Sequence, residues 1–415
     1  MNAISETGTA GFLARYQALR GVLPGDSTLR AAAAEAFRTV GLPGTSRGRR
    51  AEAWKYTTLQ PLGGMAFATA GLSPAFVPPI AAPDTPQIVF SGGQFRNDLS
   101  TPPPWFARFA EQPDFGELSW PDRDPMVALN TMLADDGAIL TVPAGCNAGA
   151  VSLMETGIDG TSAHPRHMIR LGDGARLTLV EMSDGEGCYL HNPVTEIHVA
   201  NGAVLTHVRI QIQPVQSFHL ATIYAAVAER GTYDSFTLNI GARMARTEFH
   251  VALTGAGAIA HLNGAQLLAG TQHADFTSVV RHGAPKGTSR QTVRNVLAGR
   301  ARGVFQGRIE VARGAQGTDG YQMNRALLLS PDAEIDTKPE LEIFADDVKC
   351  SHGATVGELD ADQLFYLRSR GIPHAEARSI LVRAFLAEAL DAVSHDAARA
   401  VLEQAVEGWW QRQPA

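Results

Sequence analysis

The chain has 415 residues, of which 45% are hydrophobic and 19% are charged. This composition provides for a large buried core and excludes a chain that is disordered throughout. Its 35 Lys and Arg residues against 42 Asp and Glu residues give a net charge of −7, which argues against a general nucleic-acid-binding protein. At about 150 residues per domain, the length predicts two or three domains or one elongated, repetitive domain.

The number of cysteines and the length of the apolar runs indicate in which cellular compartment the protein is expected. Cys146, Cys188 and Cys350 are too few and too scattered for a disulfide framework, and they form no zinc-type pair. We expect Cys146 and Cys188 to be packing residues. The N-terminus has no basic segment followed by an apolar run, and no apolar stretch reaches about 18 residues. We therefore expect a soluble, cytoplasmic protein without a membrane span.

The N-terminal third is predicted to be helical and then irregular. A second helix is expected after Ser27 as its N-cap, and a short helix over 126–133. The proline-rich stretch over 74–104 is a poor candidate for long helices. One amphipathic helix is predicted by apolar residues that recur every three or four positions: Phe12, Tyr16, Leu19 and Leu23.

From Ala138 the sequence changes to short β-rich runs separated by turn residues. The glycines that mark similar turns lie 28, 29 and 26 residues apart: Gly174, Gly202, Gly231 and Gly257. A period in the high twenties with strands and turns only is typical of a stacked solenoid. We predict a β-solenoid from Ala138 to about Lys349, and a large sandwich or jelly roll remains the alternative.

Helical patterns return at the C-terminus. Asp360–Gln363 resembles a capping box that opens a short helix. Pro373 suits the first turn of the next helix, and Ser394 is the expected cap of the last one. The predicted architecture is a helical or irregular region over 1–135, a β-helix core over 136–350 and a helical domain over 351–415.

Cys350 and His352 are the most informative pair. If a strand continues through them, their spacing of two places both side chains on one face. A thiolate beside an imidazole suits iron or zinc, or a thiol activated by histidine. The alternative to a functional site is a purely structural role, with a buried cysteine and a hydrogen-bonded histidine at a strand end.

Four histidines within the repeat raise a second question. They recur 11, 12 and 9 residues apart, and in a solenoid they could form a ladder or line a lumen: His250, His261, His273 and His282. Surface or turn positions are the favoured interpretation. No Walker A or HExxH motif is present, and no GxGxxG opens a helix after a strand, so a partner chain would have to supply any nucleotide site.

The segment Arg49–Thr57 places large side chains among charges, which predicts docking of the helical region onto the β body. Its last part, Glu52–Thr57, resembles the N-terminal signature of the SufD branch of the SufB/SufD family of iron–sulfur cluster assembly proteins. A longer set of segments resembles the C-terminal signature of the same family: Arg308–Val311, Thr318–Gly320, Asp336–Gly357 and Asp362–Ile372.

This resemblance implies a right-handed parallel β-helix between helical ends. It implies a non-enzymatic scaffold, with no catalytic residue, that pairs through the β-helix with a SufB paralogue. A SufC ABC-type ATPase would dock on the C-terminal helices. The docking candidates are Phe365, Tyr366, Arg368 and Arg370.

By the same resemblance, His352 is the candidate ligand of iron or of a transient iron–sulfur cluster, and Cys350 is the candidate interface thiol. One chain of this type lacks enough thiolates for a cluster, so the paralogue would contribute ligands. The resemblance implies that the sulfur donor acts on this chain only indirectly. It also implies a role of the complex in iron acquisition. We expect no nucleic-acid or membrane partner, and a homodimer when the chain is isolated. The alternatives are a carbohydrate-active β-helix enzyme and a purely structural recruiter.

Overall fold

A computed structural model describes residues 6–45, 52–69, 71 and 85–412 of the chain. The expectations that concern residues 49–51, Pro74, Pro78, Pro79 and Pro83 lie outside these ranges. The elements that follow are described in chain order. They form a helical region, a long β region and a second helical region.

The described part of the N-terminal region contains four α-helices and four short strands. The first predicted helix is confirmed, although it ends at Leu19 and leaves Leu23 outside. The Ser27 cap is wrong by one residue, because Asp26 accepts hydrogen bonds from the backbone of Thr28 and Leu29. The elements are α1 (Gly8–Leu19), α2 (Ser27–Val40), α3 (Gln60–Gly63), β1 (Ala68–Thr69), β2 (Gln87–Ser91), β3 (Gln94–Phe95), β4 (Phe106–Arg108) and α4 (Pro125–Leu133).

The β region is a parallel β-solenoid of eight turns. Each turn contributes one strand to each of two sheets, and strands of successive turns pair in parallel. The strands are β5 (Ala138–Val142), β6 (Asn147–Gly157), β7 (Thr161–Ala163), β8 (Arg166–Leu171), β9 (Arg176–Gly185), β10 (Leu190–His191), β11 (Val194–Val199), β12 (Val204–Gln211), β13 (Phe218–Val227), β14 (Thr232–Asn239), β15 (Met244–Leu253), β16 (Ile259–Leu268), β17 (His273–His282), β18 (Thr288–Leu297), β19 (Arg302–Val311), β20 (Thr318–Leu328), β21 (Glu334–Ile343) and β22 (Val348–Gly357).

The parallel pairing excludes the sandwich alternative and confirms the solenoid. The first sheet runs β21-β19-β17-β15-β13-β11-β8-β5-β4, and the second runs β22-β20-β18-β16-β14-β12-β9-β6-β2-β3. Three marker glycines adopt positive φ in their turns: Gly174, Gly202 and Gly257. In the turn before β14, Arg230 takes this left-handed position (φ 54°) and Gly231 follows it.

The inward faces of the two sheets form a continuous apolar core. A strand alternates its side chains, so one residue of each turn stacks directly on its equivalent in the next. One such column of the first sheet consists of Leu140, Ile169, Ile197, Ala225, Val251, Val280, Ile309 and Leu341. Stacking of this kind buries faces that no single turn could bury alone.

Three helices follow the solenoid: α5 (Ala361–Ser369), α6 (His374–Leu390) and α7 (Asp396–Gln411). The Asp360 cap is confirmed, because its carboxylate accepts from the backbone of Asp362 and Gln363 at 2.9 Å. The Ser394 cap is wrong by one residue. The imidazole of His395 accepts from Ala398 N instead, at 3.2 Å. Apolar residues of α6 and α7 pack on the outer face of the second sheet.

The solenoid extends past both expected boundaries. β2 lies within 1–135 and pairs in parallel with β6, while β22 crosses position 350 and α5 begins only at Ala361. Of the helices in the described ranges, none is long and apolar enough to cross a membrane.

Candidate functional site at the terminal turn

The terminal turn of the solenoid leaves an edge of each sheet uncovered. β22 pairs with β20 on one side, and in the described part of the chain no strand pairs with its other side. β21 is likewise the last strand of the first sheet. Backbone donors and acceptors along such edges are free to pair with another chain.

Cys350 and His352 both lie in β22, and their side chains are on the inward face of this last strand. Their register partners in β20 are Gly320 and Gln322. Both partners are buried on the inward face, where residues of β20 alternate between buried and half-buried. The side chains of Cys350 and His352 therefore continue inward columns at a position where no further turn covers them.

Cys350 is half-buried against the last apolar residues of the core. It packs on a cluster that contains Ile309 and Ala345, and its Sγ would lie 3.3 Å from a Cβ placed on Gly320. Burial raises the pKa of this thiol, and the Asp319 carboxylate adds to the rise. At neutral pH the side chain is accordingly a thiol, which disfavours the activated thiolate among the alternatives.

This electrostatic environment predicts slow alkylation of Cys350. We expect its rate with iodoacetamide to be well below that of a free cysteine at pH 7 and to rise steeply only above about pH 9, because the thiolate is the reactive form. The measurement is the alkylation rate against pH by mass spectrometry of the Cys350 peptide. A rate plateau below pH 8 would contradict the buried-thiol assignment.

His352 is exposed, and its surroundings bear on what it could bind. Among the described residues, no group of three His, Cys, Asp or Glu side chains is placed to hold a metal ion. A metal or cluster at His352 would therefore need ligands from a second chain. Apolar side chains exposed near this edge provide contact surface for such a chain: Ile343, Phe344 and Val356.

The four repeat histidines do not form a ladder. His250 and His261 lie on opposite sheets with half-buried side chains, and His273 bonds with Thr57 at the N-terminal region. His282 faces inward and bonds with Ser289 Oγ at 2.9 Å. The ladder interpretation is therefore wrong. As expected, the other two cysteines, Cys146 and Cys188, pack against apolar clusters.

The four docking candidates lie on one short helix and its C-cap. Phe365 and Tyr366 of α5 are 73% and 56% exposed, which is unusual for large apolar side chains. The guanidinium of Arg370 lies 5.1 Å from the Tyr366 ring, and Arg368 is also exposed. α5 contacts α6, which packs on the second sheet.

The segment Glu52–Thr57 docks on the outer face of the first sheet, as predicted. The Trp54 ring lies 4.2 Å from the guanidinium carbon of Arg246. The Thr57 hydroxyl donates to Asp275 Oδ2 at 2.5 Å, and Glu52 forms an ion pair with Lys338 at 3.0 Å. This segment therefore spans the turns from β15 to β21.

Beneath it lies a buried ionic network that the sequence did not reveal. Arg246 donates to both Glu248 and Asp275, and all three side chains are almost fully buried. Burial alone would raise the pKa of Glu248, but the charges and hydrogen bonds of Arg246 and His250 together outweigh burial and lower this pKa to about 2. Arg246 and Asp275 lie side by side on adjacent strands, so the solenoid period was the signal that could have found them.

Comparisons with known proteins identify the family of this chain. The family described as "SUF system FeS cluster assembly, SufBD core domain" matches residues 153–385. The chain therefore belongs to the SufBD family of iron–sulfur cluster assembly proteins. This membership disfavours the carbohydrate-active enzyme among the alternatives.

Individual relatives cover most or about half of the chain. A SufBD family protein of Synechocystis is 32% identical over 391 residues, which cover 86% of each chain. The iron–sulfur cluster assembly protein SufD of Escherichia coli is 36% identical over 239 residues, which cover 57% of this chain and 56% of that protein. A SufBD family protein of Mycobacterium tuberculosis is 31% identical over 257 residues, 60% of this chain and 64% of that protein.

Proposed function

We propose that this chain is a non-enzymatic scaffold subunit of a SufBCD-type complex that builds and transfers nascent iron–sulfur clusters in the cytoplasm. The observation that carries the proposal is the exposed His352 on the uncovered last turn of a SufBD-family solenoid. A histidine in this position is accessible to a second chain and lies beside strand edges that can pair with it.

The partner at this edge is a SufB paralogue in our proposal. Free backbone groups along β21 and β22 supply directional hydrogen bonds, and Phe344 and Val356 supply apolar contact. In isolation the same edge pairs with a second copy of the chain. The paralogue supplies the remaining ligands, so iron or a transient cluster is held between the chains with His352 as one ligand. Cys350 lies at this interface as a thiol.

The SufC ATPase docks on α5 in this scheme, and the sulfur donor delivers to the paralogue. The α5–α6 pair gives the ATPase a route to the solenoid, because α6 packs on the second sheet and β22 is the last strand of that sheet. Closure of two ATPase subunits would shift the scaffold chains against each other at the edge that carries His352. In this proposal, the complex also acquires its iron at the interface that carries His352.

Replacing His352 by alanine is expected to lower cluster content several-fold and to leave the complex assembled. The exposed imidazole makes few contacts, so its loss removes a ligand and little packing. The measurement is iron, acid-labile sulfide and visible absorbance of the anaerobically purified complex.

The matched control is His261→Ala, a partly exposed histidine on the outer face of the second sheet. It should leave the cluster content unchanged. Normal cluster content in His352→Ala would remove the ligand role. Failure of the tagged chain to retain a SufB-type chain and an ABC-type ATPase would remove the scaffold proposal itself.

A further inference from the structure

A cleft of about 610 Å³ lies between the N-terminal region and the outer face of the first sheet. Neither Cys350 nor His352 lines it. Its walls combine apolar and aromatic side chains with buried carboxylates, including Trp54, Leu118, Asp124, Tyr224, Glu248 and Ala252. A mostly preformed cleft with a few convergent polar groups is the usual form of a small-ligand site.

The charges beneath this cleft do not balance. One guanidinium, that of Arg246, faces three buried carboxylates: Asp124, Glu248 and Asp275. Two of the carboxylates are fully engaged. Glu248 accepts from Arg246 and His250 through its two oxygens, and Asp275 accepts from Arg246, Thr57 and Thr277.

Asp124 is the carboxylate that forms no ion pair, although the Arg246 charge acts on it from a distance. Its Oδ1 caps α4 by accepting from the backbone N–H groups of Met126 and Val127 at 2.6 and 3.2 Å. Its Oδ2 has no hydrogen-bond partner among the described residues, although the residue lines the cleft and is only 8% exposed. At the cleft wall this oxygen is left for solvent or a ligand, and a ligand of opposite charge would offset the cost of burying most of the carboxylate.

The other cations of the cleft are already occupied. The Arg123 guanidinium lies over the Trp120 ring at 3.8 Å and forms no ion pair with Asp124. The rim cations pair with rim carboxylates at 2.9 to 3.2 Å: Arg281 and Arg308 with Glu310, and Lys338 with Glu52 and Glu340. Among the buried carboxylates of the cleft, the unbalanced negative charge is therefore localised at Asp124, since Glu117, which also lines the cleft, is exposed to solvent.

We propose that this cleft binds an organic cation, an alkylammonium group on an apolar stem, with Asp124 Oδ2 as the acceptor of its charge. One free oxygen suits a compact ammonium, whereas a guanidinium favours two parallel acceptors. A metal ion is disfavoured because the nearby Glu248 and His250 atoms already bond to each other. The walls at Leu118, Tyr224 and Ala252 fit the methylene stem.

The pKa of Asp124 is consistent with an incomplete site. Burial raises it to about 6, and repulsion from Glu248 adds to the rise. An ammonium bound at Oδ2 would reverse this shift by favouring the ionised form. The ammonium comes either from a free diamine or from a lysine side chain of a partner protein, and the two sources are separated by experiment.

The test is isothermal titration calorimetry of the full chain at pH 7.5. The probes are 1,5-diaminopentane, Nα-acetyl-lysine methylamide, its neutral Nε-acetylated form and Mn²⁺. We expect at least one ammonium probe to bind, and Asp124→Asn to weaken that binding at least tenfold. Asparagine keeps the helix cap and removes only the charge. A folding defect in this variant is bypassed with Asp124→Ser, which also keeps a capping oxygen.

Asp26→Asn is the matched control, because Asp26 caps α2 through two backbone N–H groups in the same way and lies outside the cleft. It should bind as the unmodified chain does. Preference for the diamine identifies a free ligand, and preference for the lysine derivative identifies a partner side chain. The proposal is overturned by absence of ammonium binding at 10 mM, by equal affinity in Asp124→Asn, by equal affinity for the neutral probe, or by Asp124-dependent Mn²⁺ binding.

Discussion

Replacing Arg246 by alanine is expected to destabilise the protein by about 3–5 kcal/mol, because it leaves buried carboxylates without their cation. Arg246 donates to Glu248 and Asp275, and none of the three side chains reaches solvent to any useful extent. The Trp54 ring that covers the guanidinium loses its contact as well. Urea denaturation at pH 7, followed by circular dichroism, measures the change in unfolding free energy.

The loss should depend on pH in a defined direction. The pKa of Glu248 is about 2 in the folded protein, against an ordinary value of 4.5. Its stabilising contribution is therefore fully present above pH 4.5 and is lost as the pH falls toward 2. Without Arg246, only His250 opposes the effect of burial, so this pKa rises from its value in the unmodified protein. The difference between the variant and the unmodified protein should be largest near neutral pH and smaller at pH 4.

Arg281→Ala is the control, since this arginine lies one turn further on with a side chain that is 64% exposed and paired with Glu310. Exposed pairs contribute about 0–1 kcal/mol, so a small change is expected. Arg246→Met combined with Glu248→Gln and Asp275→Asn should recover much of the loss, because the unpaired charges are then absent. If Arg246→Ala lowers the unfolding free energy no more than Arg281→Ala does, water must enter and hydrate the two carboxylates in place of the guanidinium.

The sequence predicted the solenoid because its physical basis is periodic. Leu177, Leu205 and Tyr233 stack in register at intervals of 28 residues, the interval that separates the marker glycines Gly174 and Gly202. Turns that need a left-handed residue repeat with the stack, so their glycines report the period. Arg230 shows the limit of this signal, because a non-glycine residue can take the same conformation.

Two other features could not be predicted from the sequence. The cap of α2 depends on a choice between two adjacent residues, and the cleft depends on contacts between segments that are distant in sequence. Asp26 and Ser27 are both good capping residues, and only the backbone path selects the first. The cleft joins Trp54, Asp124 and Glu248, which are far apart in sequence and lie together only after the N-terminal region docks. A spacing rule within the repeat could locate Arg246 and Asp275, but it contains no information about Asp124.

Replacing Phe365 and Tyr366 together by alanine is expected to weaken binding of the SufC-type ATPase at least about 100-fold, or by about 3 kcal/mol. Exposed aromatic side chains beside an arginine are typical of the few residues that dominate a protein interface. The unfolding free energy should change little, because neither ring is buried in the chain itself. Biolayer interferometry with the purified ATPase, and parallel denaturation curves, measure both quantities.

Val22→Ala is the control for this pair, because Val22 is 79% exposed and lies after α1, in the N-terminal region. Its ATPase affinity should match that of the unmodified chain. Arg368 and Arg370 add an electrostatic component, so the remaining affinity should fall as salt rises. Undiminished ATPase binding by the double variant would exclude α5 as the docking element. It would also remove the proposed path through α6 and the second sheet by which ATP hydrolysis would reach His352.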